Sequence, residues 1–323
     1  LRYRGRLILL LWTLVITLNL AGMAVHETYG APGDLAQAQS VVVPEGSTAE
    51  VARALQIDGI IESPFVFRAA AWFTRGQGPI RAGEFLIPAR ASLGQVLGIL
   101  RFGAAVEHQA TIPEGLTGAQ IAKLINALPG AVGQVAVPTE GAVLPQTYAY
   151  LQGTKRAKIL ARAEAAMADA VRKAWDGRDR TISLTSPDQA VVLASIVQEE
   201  TPVAAELPHV AAVYENRLAA GMDLQADPTV IYAASGGAVA SGRGITKADL
   251  ANPSAYNTYV YGGLPPGAIC SPGIAAIEAV LHPAASDDLY FVATGSGGHV
   301  FSKDYKTHLA HVAAYRAVVE GGK

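Results

Sequence analysis

The stretch Ser186 to Pro202, SPDQAVVLASIVQEETP, constrains the fold more than any other part of the chain. It reads as a helix that belongs in a core and ends on a carboxylate. Ser186 is a good N-cap, Pro187 suits the first helical position, and Gln189 falls where a capping box wants it. From Ala190 to Val197 the helix is apolar nearly all round, interrupted only by Ser195, which places it inside rather than on a surface. Thr201 precedes Pro202, and the proline ring biases its predecessor away from helical dihedrals, so the helix stops there.

Helical spacing separates the two acids at its end. Glu200 lies above Ile196 and Val197 and continues the apolar face, whereas Glu199 lies above Ser195 and Ile196. Burial disfavours a charged carboxylate and the negative end of the helix dipole disfavours it again, so Glu200 is expected to hold its proton more tightly than usual. Such a group suits general acid chemistry. The competing reading is that both glutamates only solvate a helix end. The pair cannot be the two carboxylates of an ordinary glycosidase, which flank a bond from opposite sides, because consecutive helical side chains diverge by about 100°.

The chain has 323 residues, room for two domains and a sizeable core. Net charge is -2, which removes any global electrostatic case for nucleic acid. Cys270 is the single cysteine, so an intrachain disulfide and a cysteine-based zinc site are both excluded. His308 and His311 are a helical turn apart, and His282 and His299 lie nearby in sequence, but no acidic partner has ligand-like spacing with them.

In chain order, Arg2, Arg4 and Arg6 precede Leu7 to Val25, an uncharged apolar run just long enough to span a bilayer. The arginines predict a cytoplasmic tail and export of everything beyond the span. A cleaved signal peptide is the alternative, given small residues around Ala21 to Ala24. His26 to Ser40 reads as a tether. VVVPEGSTAEVARAL from Val41 then matches ATIPEGLTGAQIAKLI from Ala110, an internal repeat of a strand, a Pro-Glu-Gly turn and an amphipathic helix with Thr48 or Thr117 near its start. Each copy is followed by a strand-like echo, AGEFLIP at Ala82 and EGAVLP at Glu140. Lys155 to Arg180 reads as an exposed helix, and another helix runs from about Glu206 to Leu218. LQADPTVIY starts a further helix, with Asp227 as N-cap and Pro228 in the first turn. Ala251 to Gly273 reads as a structured loop of the kind that carries function. LYFVAT and HVFS form a β-hairpin before a terminal helix from Asp304 to Glu320. Gln225, Asp227, Tyr256 and Asn257 are candidates for holding a polar ligand through amide, carboxylate and hydroxyl groups; packing and capping are their alternative roles.

The motifs ASIVQEET, LQADPTVIY, AYNTY, GLPPGAICSPG, LHPA and LYFVATGSGGHVFS, in that order, resemble the YceG-like family, the MltG-type endolytic murein transglycosylases. The resemblance covers the chain from about residue 41 to its end. It implies an α+β fold: a tail at 1–6, a transmembrane anchor at 7–25, a linker at 26–40, a LysM-like repeat region at 41–154 and a catalytic domain at 155–323. It also implies a cell inner-membrane, single-pass protein with its catalytic domain on the periplasmic side. Its catalytic glutamate is the one before Thr, here Glu200, acting without metal or cofactor. The implied reaction breaks the bond between N-acetylmuramic acid and N-acetylglucosamine and leaves a 1,6-anhydro end. The implied partners are peptidoglycan glycan strands and the membrane, with peptidoglycan synthases as further candidates and no nucleic acid. Gln198 stands where many members have Glu, PQTY at Pro145 replaces Pro-Asp-Thr-Tyr, and Cys270 sits where relatives carry Ala or Asn. Two other readings are a tethered glycan-binding scaffold without catalysis and a metal-dependent amidase that uses the histidines.

Overall fold

A computed structural model describes residues 27–238 and 244–321, with isolated positions between 12 and 23. The expected anchor, Leu7 to Val25, lies largely outside the described residues. Among those described, no helix is long and apolar enough to cross a membrane. The fold is mixed α+β with small sheets, each of two strands. The chain divides into two compact units: one runs to His108 and takes in Ala149–Gly153, and the other comprises Gln109–Tyr148 and Thr154–Lys323.

The first unit is built from β1 (Gln39–Val43), α1 (Thr48–Ile57), α2 (Pro64–Phe73), β2 (Gly83–Ile87) and α3 (Leu93–Phe102). β1 pairs antiparallel with β2, from Gln39 opposite Ile87 to Val43 opposite Gly83, so the piece at Ala82 is the partner strand of the first repeat. Alternation sets the inner face: Val41, Val43, Phe85 and Ile87 are buried, while Val42 and Leu86 point out. Val51 and Leu55 of α1, Phe67 of α2 and Leu97 of α3 complete this core. The cap of α1 is Ser47 rather than Thr48, with Glu50 closing a capping box.

β3 (Glu107–Thr111), α4 (Gly118–Asn126) and β4 (Thr147–Leu151) follow, and here the second echo fails as a strand. β3 pairs with β4, while EGAVLP is irregular. Pro145 has no N–H for a ladder, the Glu140 carboxylate accepts from Gly118 N at the start of α4 (2.7 Å), and Leu144 N donates to Ala163 O (3.1 Å). The stretch is spent on capping and docking instead.

The remaining elements are α5 (Arg156–Gly177), α6 (Pro187–Glu200), α7 (Leu207–Ala219), α8 (Asp227–Ser235), α9 (Lys247–Leu250), α10 (Ile274–Leu281), β5 (Tyr290–Ala293), β6 (His299–Ser302) and α11 (Tyr305–Gly321). α5 is not exposed all round: Ile159, Ala163, Met167, Val171 and Ala174, spaced by four and three, form a buried stripe. α6 is the centre of the core, with Leu193, Ala194, Ile196 and Val197 fully buried against α7 and α10. Each such large side chain contributes about 1.5–3 kcal/mol by leaving water. Its start is as expected except that the Gln189 carboxamide reaches back to Thr185 N (2.8 Å), one residue short of the reciprocal box. β5 and β6 form the expected hairpin, Tyr290 opposite Ser302 and Ala293 opposite His299.

This division differs from a boundary at residue 155, because the second Pro-Glu-Gly turn is tied into the second unit. Gly115 N donates to Ser271 O (3.0 Å) and Ser271 N to Leu116 O (2.9 Å). Gly141, at φ +76, packs so closely on Val191 and Ala268 that a Cβ there would lie 2.7 Å and 2.8 Å from them.

Candidate active site

The loop before α10 is fastened along α6 by polar groups on an otherwise apolar helix. Ser195 Oγ accepts from Ile269 N (3.0 Å) and Gln198 Oε1 accepts from Gly273 N (2.9 Å). Thr201 follows in an extended conformation and ends the helix, so Glu199 and Glu200 are its last two residues.

They line different cavities. Glu199 borders one of about 220 Å³ shared with Glu114, Gly115, Thr117, Tyr232 and Cys270. Gly115 is at φ +78, and a Cβ there would meet the Glu199 carboxylate. The Cys270 thiol, fully enclosed with its Sγ against Ser195 O, is pushed up by burial and then by Glu199 and Glu140, so it stays protonated.

Glu200 borders a cavity of about 360 Å³ with Tyr214, Arg217, Gln225, Asp227, Tyr259 and His299. Its side chain keeps partial access to solvent while packed atoms surround it on the protein side. Burial raises its pKa from the ordinary 4.5 to about 7; Tyr214 opposes this, Asp227 adds to it, Arg217 opposes it and Glu199 adds slightly. Tyr214 Oη donates to Glu200 Oε1 at 2.5 Å. Arg217 is held by Leu289 O (2.7 Å) and Leu224 O (2.7 Å), 5.3 Å from the Tyr290 ring centre, and so presents a fixed positive charge to the cavity. A carboxyl group that is half protonated near neutral pH can give a proton and take one back.

The model of the YceG-like family matches residues 41–314. The chain belongs to the YceG-like family. Proteins named endolytic murein transglycosylase are similar to this YceG-like chain: one from Bacillus subtilis (strain 168) is 34% identical over 171 residues, 53% of this chain, and one from Streptococcus pneumoniae serotype 2 (strain D39) is 27% identical over an alignment of 326 positions, 85% of this chain. The chain spans about half the length of these relatives, 46% of the first and 58% of the second. A crystal structure of a yceG-like protein from Listeria monocytogenes superposes with a TM-score of 0.53 at 25% identity, covering 85% of this chain and 98% of that one.

Of the residues singled out from this YceG-like sequence, Glu200, Gln225 and Asp227 meet in one cavity. Gln225 sits at φ +49, a conformation uncommon for a side chain of its kind, and its N donates to Thr258 O (3.1 Å). Asp227 is the first residue of α8 rather than its cap, which is Ala226; its carboxylate instead accepts from Tyr259 Oη (2.6 Å). Asn257 is fully buried, its amide donating to Leu250 O and Asn252 O and its carbonyl accepting from Tyr259 N, so it holds the loop. Tyr256 packs on Tyr232 with ring centres 4.8 Å apart, away from the residues that line the Glu200 cavity. Tyr214, Arg217 and Tyr259 join the cavity without having been singled out, and His299 and His308, weighed above only as metal ligands, border it as well. His299 is also fixed, its Nδ1 2.7 Å from Glu206 Oε2.

Proposed function

We propose that this chain is an endolytic lytic transglycosylase of peptidoglycan, membrane-tethered through Leu7 to Val25 with its catalytic part exported, and that it releases or terminates growing glycan strands. The observation that carries the reading is Glu200, a carboxyl poised at about 7 in a polar cavity at the end of a buried helix. Protonated Glu200 gives its proton to the glycosidic oxygen as the bond to C1 of N-acetylmuramic acid breaks. The resulting carboxylate takes the proton of the same sugar's C6 hydroxyl as O6 bonds to C1, leaving a 1,6-anhydro end and a restored acid. Tyr214 and Arg217 stabilise the charged phase of the cycle, and Gln225, Asp227 and Tyr259 present polar groups to the sugars. Tyr256 and Asn257 shape the loop that carries Tyr259.

Asp227 in the same cavity supports a second reading, a hydrolase that uses two carboxylates. The product separates them. Glu200→Gln keeps shape but holds no transferable proton, and it is expected to lower anhydro-end formation by at least ~10²-fold, while Glu199→Gln is tolerated. Mass spectrometry of digested strands is the measurement, with melting temperatures compared first. Reducing ends in place of anhydro ends favour the hydrolase, and normal cleavage by Glu200→Gln removes both readings.

A further inference from the structure

The first Pro-Glu-Gly turn lines a cavity of about 620 Å³ that belongs wholly to the first unit. Arg75, Arg81 and Arg101 all border it. Arg75 and Arg81 are exposed, whereas Arg101 is 5% exposed. Arg101 Nη1 donates to Gln77 Oε1 (3.1 Å) and Nη2 to Ala71 O (3.2 Å), both uncharged acceptors, and its buried Nε makes no hydrogen bond. Arg75 stacks on the Trp72 ring at 4.2 Å, and Arg81 donates to Gly103 O. Among the described residues none of the three has a carboxylate within ion-pair distance. Glu45 is the single acid among the described residues that line the cavity, so three guanidiniums face one carboxylate there.

A buried guanidinium without a counter-charge is costly, and a planar fork of N–H donors matches the two oxygens of an oxyanion. Between the cations the wall is aliphatic, formed by Val51, Ala71 and Ile80. The second repeat uses the same turn to border a cavity of opposite character, with Glu114 and Glu199 on its wall, so the cationic lining is particular to the first copy.

We propose that this cavity is an oxyanion site and that the oxyanion is a carboxylate of the short peptides carried on peptidoglycan strands. The source, though not the site, rests on the peptidoglycan reading above. Phosphate shares the chemistry, but the aliphatic wall suits the methyl-bearing neighbours of a peptide carboxylate and Glu45 disfavours a dianion.

The test uses the full chain carrying Glu200→Gln, so that strands are bound and not consumed, in equilibrium titrations with three probes. These are peptide-bearing glycan strands, the same strands stripped of peptide by an amidase and with the lactyl carboxylates so uncovered converted to amides, and inorganic phosphate. Stripped strands are expected to bind about tenfold more weakly, the loss of one charge-assisted contact. Arg75→Gln with Arg81→Gln, both on the exposed rim, is expected to erase that difference and leave stripped-strand affinity unchanged. Arg101→Gln is expected to do the same, and the rim pair keeps the test open where the buried variant fails to fold. Equal affinity for intact and stripped strands overturns the proposal, as does a peptide preference that survives in the rim variant. Competition by phosphate without any peptide preference also overturns it. Anhydro-end formation by the chain with Glu200 and all three arginines intact is read separately: cleavage without any peptide preference in that chain sinks this inference alone, and peptide preference without cleavage sinks the catalytic reading alone.

Discussion

Glu199 and Glu200 have identical side chains, yet a rotation of about 100° along α6 places them in different cavities. The raised pKa of Glu200 has a thermodynamic signature. Because its folded value lies above its unfolded one, the native state holds a proton that the unfolded chain has released, so stability falls as pH rises from about 4.5 to about 7. Glu200→Gln removes that slope and is expected to gain melting temperature relative to wild type between pH 5 and pH 8; parallel melting curves across that range count against a proton-poised Glu200. Tyr214 donates to the charged carboxylate, so Tyr214→Phe is expected to raise the Glu200 pKa further and move the alkaline limb of the pH–rate profile upward. A downward or absent shift removes Tyr214 from the tuning of the acid. Glu200 was legible in the sequence because apolar spacing and family position select the same residue. Tyr214 was not, since within AAVYENR it carries the pattern of any core aromatic, and only the folded path of α7 brings its hydroxyl to Glu200.

At the scale of elements, local chemistry and tertiary context divide the credit. The helix from Pro187 to Glu200 was legible because proline, a serine cap, an apolar run and a following Thr-Pro all agree. The hairpin at β5 and β6 was legible for the same reason, with β-prone runs around a glycine-rich turn. EGAVLP was misread because its β-prone residues are overridden by uses that only folding reveals, Glu140 on the α4 N-terminus and Leu144 N on α5. Asp227 was misassigned by one residue, and that one residue frees its carboxylate to meet Tyr259. Ser195, the lone polar interruption in α6, is where the helix grips the loop before α10. Ser195→Ala leaves Ile269 N buried without its acceptor and is expected to cost about 1–3 kcal/mol, with faster hydrogen exchange at Ile269 and Cys270. Unchanged stability and exchange would show that the loop is held by Gln198 and the second Pro-Glu-Gly turn alone.

For the whole molecule, sequence similarity between the two repeats suggests that they work as one region, but the second copy folds into the unit that holds Glu200. The boundary at residue 155 follows from the family resemblance, and a resemblance in motif order is blind to which side of a boundary a turn docks against. The structural division assigns different fates to two fragments. A chain beginning at Gln109 keeps the pairings of Gly115 and Leu116 with Ser271, the cap that Glu140 provides to α4, and the packing of Gly141 on Val191 and Ala268. A chain beginning at Lys155 loses all three, uncovering apolar surface on α6 and leaving the backbone of Ser271, whose residue is 1% exposed in the intact chain, without its partners. Loop closure by a distant docking segment is not recovered by the remaining local contacts, so the fragment from Gln109 is expected to melt as one cooperative transition and to form anhydro ends. The fragment from Lys155 is expected to show a broad, weak transition and no cleavage. Calorimetry and strand digestion on both fragments make the comparison. If the shorter one melts sharply and cleaves, the second repeat is an accessory to the catalytic unit and the division lies at residue 155 after all.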